Sequence, residues 1–134
     1  MAALAEDTLQ DYVTDTGETV YPVRTATNIY SGEFVGEDAA GDSRPLVALD
    51  KFQGVSQCRA NNTSGLAGAI NVKVKHECYI VHDVVGVTAK TANDRPKVYA
   101  SDSATLTLTA TSNTEVGTIL RWISGASCVV YLKS

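Results

Sequence analysis

The feature that most constrains this chain is a two-residue hydrophobic period. Asn71-Val72-Lys73-Val74-Lys75 alternates polar and apolar residues, and Tyr79 to Val87 continues with β-branched ones. Thr105-Leu106-Thr107-Leu108-Thr109 sets leucines on one face and threonines on the other. Such alternation sorts side chains to the two faces of an extended strand, whereas a helix face needs apolar residues three and four apart. The threonine–leucine stretch has the pattern of a half-wetted antiparallel strand. Abundant Thr and Val act in the same direction, because β-branched side chains lose χ1 freedom in a helix and sit well on a pleated surface.

Turn residues punctuate the remaining strand candidates. Asn28-Ile29-Tyr30 runs to Gly32, and Glu33-Phe34-Val35 to Gly36. Glu37 to Ser43 reads as a loop, and Pro45 opens the apolar run Leu46 to Leu49. A further strand follows Asp50 and ends near Arg59, Asn61 to Gly68 reads as a polar loop, and Thr88 to Pro96 as a turn-rich connection. Val98-Tyr99-Ala100 stops at Ser101-Asp102. Gly117 to Ile123, the turn Ser124 to Ser127, and Cys128 to Leu132 read as a C-terminal hairpin. With 134 residues, 44% apolar and 19% charged, the chain has room for one domain with an ordinary core. The expected class is all-β: a small antiparallel β-barrel or β-sandwich, carrying an extended N-terminal arm.

That arm is read from charge. Before residue 26 stand Glu6, Asp7, Asp11, Asp15 and Glu18 against Arg24 alone, a net −4 equal to the imbalance of the whole chain. Its apolar residues, among them Leu4, Leu9, Tyr12 and Val13, are scattered. Leu4 to Val13 fits a short amphipathic helix that Thr14-Asp15-Thr16-Gly17 would end, but an arm ordered on a partner is the preferred reading. The domains expected are thus residues 1–25, an acidic arm, and 26–134, the β domain.

Several function classes lose support. No basic stripe is present to displace counterions from phosphates, so no nucleic-acid partner is expected. No apolar run approaches the roughly 20 residues of a membrane-spanning helix, and no membrane partner is expected. Three cysteines, Cys58, Cys78 and Cys128, cannot all pair internally. The first residues lack the basic and apolar regions of a secretory signal, so assembly in a reducing cytoplasm is expected. His76, Cys78 and His82 share a strand face, but the two histidines would lie about 20 Å apart, too far for one metal. No nucleophile elbow or phosphate cradle occurs, since Gly65-Leu66-Ala67-Gly68 lacks the following Lys-Ser/Thr. The expectation is no enzyme, no metal and no cofactor. Trp122, alone of its kind, suits core packing or an interface anchor. Arg44 and Phe52 stand where loops join strands, suited equally to structure and to contact.

In order along the chain, several of these phrases resemble the small decoration, or cement, proteins of tailed-bacteriophage heads. They are Tyr30-Ser31-Gly32-Glu33-Phe34-Val35-Gly36, Ala40-Gly41 with Arg44-Pro45-Leu46, and Asp50-Lys51-Phe52-Gln53-Gly54. Asn61-Asn62, Gly68-Ala69-Ile70-Asn71-Val72, Val98 to Asp102, Leu106 to Thr109, Gly117 and Arg121 to Leu132 follow. The similarity runs from about residue 20 to the C-terminus, with Leu49 and Cys78 standing where glycine is common in that family. The resemblance implies a non-enzymatic homotrimer on the outer capsid surface of the virion, made in the host bacterial cytoplasm, whose partner is the major capsid protein. Candidate capsid or trimer contacts are Leu9, Tyr12, Val13, Tyr21, Arg44, Phe52 and Trp122. The other reading is a sugar-binding or adhesion module on a phage or cell surface.

Overall fold

Alternation has its expected consequence in the strand Asn71–Lys75, which buries Val72 and Val74 and leaves Asn71 and Lys73 in solvent. The computed structural model describes residues 18–134, and strands dominate it. They are β1 (Glu18–Pro22), β2 (Thr27–Ile29), β3 (Phe34–Glu37), β4 (Ser43–Pro45), β5 (Lys51–Ser56), β6 (Ala60–Asn62), β7 (Asn71–Lys75), β8 (Glu77–Val85), β9 (Lys97–Ala100), β10 (Leu106–Thr107), β11 (Thr114–Ser124) and β12 (Ser127–Lys133). A short helix α1 (Ala89–Asn93) lies between β8 and β9. The protein is all-β.

The strands form three groups. A five-stranded antiparallel sheet has the order β1-β7-β5-β3-β4, a small closed barrel the order β10-β8-β12-β11-β9, and β2 pairs with β6. Strand β3 is the wall between two cores. Phe34 faces the larger one with Phe52, Val84, Val98, Leu106, Ile119, Val130 and Leu132, while its neighbour Val35 faces the smaller one with Val23, Ile29, Val72 and Val74. Successive residues of a strand point to opposite faces, which lets one strand serve both cores. Burying each such side chain contributes roughly 1.5–3 kcal/mol.

On β5 a bulge changes the parity. Val35 is opposite Gly54 and Gly36 opposite Phe52, so Gln53 is the extra residue and both Phe52 and Val55 face the larger core. Gly54 has φ +138°, and a Cβ there would lie 2.5 Å from the Lys75 carbonyl oxygen. Only glycine fits.

Four local expectations change. The arm boundary near residue 25 is too late: β1 pairs along its length with β7, and Val23 is wholly buried. Tyr21 and Val23, two apart, already begin the strand period, which the acidic neighbours obscure. Residues 71–87 do not act as one unit, because β7 joins the open sheet and β8 the barrel. Thr88–Pro96 contains α1, capped reciprocally by Thr88 and Thr91 and seated through buried Ala92. Its N3 residue is Thr instead of the Glu or Gln of the usual capping box, so the helix start leaves a weak sequence signal. Finally, Thr105–Thr109 is paired only at Leu106 and Thr107, antiparallel to β9 as expected but also parallel to β8, and Thr107 is buried, so the threonine face is not wholly wetted. The C-terminal hairpin forms as expected, with Gly125 at its tip.

Candidate interaction surface

The loop between β4 and β5 is built around one carboxylate. Asp50 Oδ2 and Oδ1 accept from Arg44 Nε at 3.0 Å and Nη2 at 2.8 Å, a two-pronged ion pair. Asp50 Oδ2 also accepts the Val47 N–H at 3.0 Å. The pair is well shielded, with the Arg44 and Asp50 side chains 25% and 7% exposed. Gly36 makes the approach possible, since a Cβ there would lie 2.7 Å from the Asp50 Cβ. The hydrogen bond from Arg44 to Asp50 raises the guanidinium pKa, against a smaller opposing effect of burial.

Within this frame Val47–Asp50 forms a turn closed by the Asp50 N–H on the Val47 carbonyl at 2.9 Å. Leu46 plugs the larger core at the base, and Thr114 Oγ1 donates to the Asp50 carbonyl. The third residue of the turn, Leu49, has φ +77° and is 71% exposed. That conformation suits glycine, and for another L-residue costs about 1–2 kcal/mol. A bulky apolar side chain is therefore held in solvent in a disfavoured backbone conformation. Val47 beside it is exposed as well.

Opposite Leu49 lies the β3–β4 turn. Asp38 Oδ1 accepts the N–H of Ala40 at 2.9 Å and of Asp42 at 3.0 Å. These bonds, that from Asp42 foremost, hold the Asp38 carboxyl below its ordinary pKa; burial opposes them, and Arg24 and Arg44 add to the lowering. Between the two turns runs an open groove of about 610 Å³, lined by Ala39, Ala40, Ala48 and Leu49 and by the charged Glu37, Asp38 and Lys51, over the Arg44–Asp50 pair. Its mixed apolar and charged lining suits contact with another macromolecule.

The residues singled out from sequence divide by role. Arg44 and Phe52 are placed on either side of Gly36 by the strand register. Phe52 is a core residue, edge-on to Phe34 at 6.4 Å between ring centroids, and presents no free anchor. Arg44 braces the groove floor. Tyr21 is half-buried against the smaller core. Trp122 is half-buried against the larger core, and its Nε1–H donates to the Gly125 carbonyl at 2.9 Å, bracing the hairpin tip. These four do not make one patch. Leu9, Tyr12 and Val13 lie outside the described residues. Sequence reasoning did not place Leu49 among the candidate contacts; its one signal was a leucine before Asp50 where the decoration proteins that the sequence resembles commonly have glycine.

A second apolar surface lies on the barrel exterior. Tyr79, Val81 and Val85 project from β8 into solvent, and the Tyr79 ring lies 5.0 Å from that of Tyr131 on β12. The Tyr131 hydroxyl donates to the Glu77 carboxylate, which pushes its pKa up to about 12. The histidines are engaged separately: the His82 ring leans on Phe34, and the His76 carbonyl accepts the Ser134 N–H. Among the described residues no three His, Cys, Asp or Glu side chains are grouped to hold a metal ion. All three cysteines are free thiols. Cys58 is exposed, while burial raises the pKa of Cys78 and Cys128. No protein-family model matches the chain, and no curated protein matches it.

Proposed function

We propose that this chain is a capsid decoration protein, which binds the outer surface of a tailed-phage head and stabilises contacts between major capsid protein subunits. The observation that carries the reading is Leu49, held in solvent at φ +77° next to the Arg44–Asp50 brace and beside a groove of mixed apolar and charged lining. Backbone strain that exposes a leucine has no benefit for the isolated fold, but it places an anchor for a docked partner. The ordered run of segments resembling cement proteins supports the identity of that partner.

The physics of such a role is simple. A protein that binds only the closed lattice raises the cost of opening it by its own binding free energy. In a homotrimer the second and third attachments become effectively intramolecular.

The test mixes the purified chain with expanded heads that lack it. Co-sedimentation and a higher rupture temperature are expected. Heads that neither retain the protein nor resist heat better in its presence would refute the reading, and binding of the isolated chain to glycans would favour an adhesion module.

A further inference from the structure

Among the described residues, one edge of β8 has no partner strand over Glu77–Asp83. The His76 carbonyl accepts from Ser134, and the Val84 N–H donates to the Ala126 carbonyl, so even-numbered residues of β8 bond towards β12. The backbone groups of Glu77, Tyr79, Val81 and Asp83 therefore point the other way. On that side β10 meets only Val84 and Val85. Among the described residues no strand reaches Glu77–Asp83 there, and the Asp83 carbonyl meets only the His82 ring at Nδ1.

Proteins normally protect such an edge with charge, proline or brevity. Here the two middle outward side chains are Tyr79 and Val81, 67% and 65% exposed, and acids stand only at the ends. A second copy is a poor occupant. Antiparallel self-pairing with full overlap sets Tyr79 against Val81 but Glu77 against Asp83 twice, and like charges directly opposite are destabilising. Sliding the register by two residues either runs the strand into the part of β8 that β10 covers or shortens the overlap to Glu77–Val81.

We propose that the Glu77–Asp83 edge is a docking site for an extended strand of a different polypeptide, with apolar residues facing Tyr79 and Val81 and Lys or Arg facing Glu77 and Asp83. Main-chain bonds to the free N–H and C=O groups supply affinity, and the alternating side chains supply selectivity. This surface is separate from the Leu49 groove, and its argument does not depend on the capsid reading.

The test uses the full chain and the synthetic peptide Lys-Thr-Val-Thr-Val-Thr-Lys, with Glu-Thr-Val-Thr-Val-Thr-Glu as its counterpart. At saturating basic peptide, amide exchange at Tyr79 and Val81 is expected to slow by roughly tenfold or more, and the acidic peptide should leave it unchanged. Val81→Pro removes a donor from the free edge without touching the β12 ladder, a position where proline is tolerated. It should abolish the protection with unfolding temperature little altered. Val81→Lys, which sets a third cation against the peptide, should weaken the protection even if the proline variant folds poorly. Equal protection by both peptides, none by the basic one, or protection that grows with protein concentration alone would each overturn the proposal.

Discussion

Replacing Leu49 separates strain from contact. In Leu49→Gly the residue at φ +77° no longer clashes with its own backbone, recovering about 1–2 kcal/mol. Glycine has more freedom to lose on folding, which returns roughly 0.5–1 kcal/mol. The side chain is 71% exposed, so little packing is lost. The net is a stabilisation of about 0.5–1 kcal/mol, or roughly 2–5 °C in Tm for a body of this size. Leu49→Ala keeps the strained φ and should leave Tm nearly unchanged. On the proposed decoration role the two variants should behave alike on heads, because each would remove a side chain whose burial is worth roughly 1–2 kcal/mol per docked copy. That predicts about five- to thirtyfold weaker attachment per site. Calorimetry of the free protein and sedimentation with heads measure the two effects. If Leu49→Gly were destabilised, or if either variant bound heads as tightly as the parent, the account of this turn would be wrong.

Other consequences follow from the same contacts. Asp50→Asn removes the charge that compensates Arg44 and weakens the bond to the Val47 N–H; urea unfolding should show a loss of about 2–3 kcal/mol, since both partners are largely shielded. Phe34→Ala empties the wall between the cores and should cost about 3–5 kcal/mol in the same assay. The Asp38 carboxyl is held below its ordinary value, so its contribution is present above the unfolded pKa of 3.8 and lost as pH falls through the lower folded value. Unfolding between pH 5 and pH 2 should therefore be less acid-sensitive in Asp38→Asn than in the parent.

How much of this was legible beforehand depends on the range of the interaction. Alternation along 71–75 and the turn residues before Cys128 act within a few residues, and the strands and the C-terminal hairpin follow from them. The candidate surface was only partly legible. Arg44 stood out as a loop-edge arginine, but its partner Asp50 and the glycine that admits it became neighbours only through the β3–β4 and β3–β5 registers. Phe52 was ambiguous for a related reason. A bulge at Gln53 decides which way it faces, and a bulge answers to the opposing strand.

By itself, then, the order of residues determined an all-β chain, because a two-residue period and β-branched side chains suit only extended backbone. Tertiary structure alone decided which strands meet, that β7 and β8 part into different sheets, and that among the described residues no strand pairs with Glu77–Asp83 on the side of β8 away from β12. It also decided that Leu49 points outward from a strained turn. The physical reason is that a strand's pattern records its faces but not its neighbours. Those are chosen by contacts across long stretches of chain, such as the Phe34 N–H on the Ser103 carbonyl and Thr114 Oγ1 on the Asp50 carbonyl.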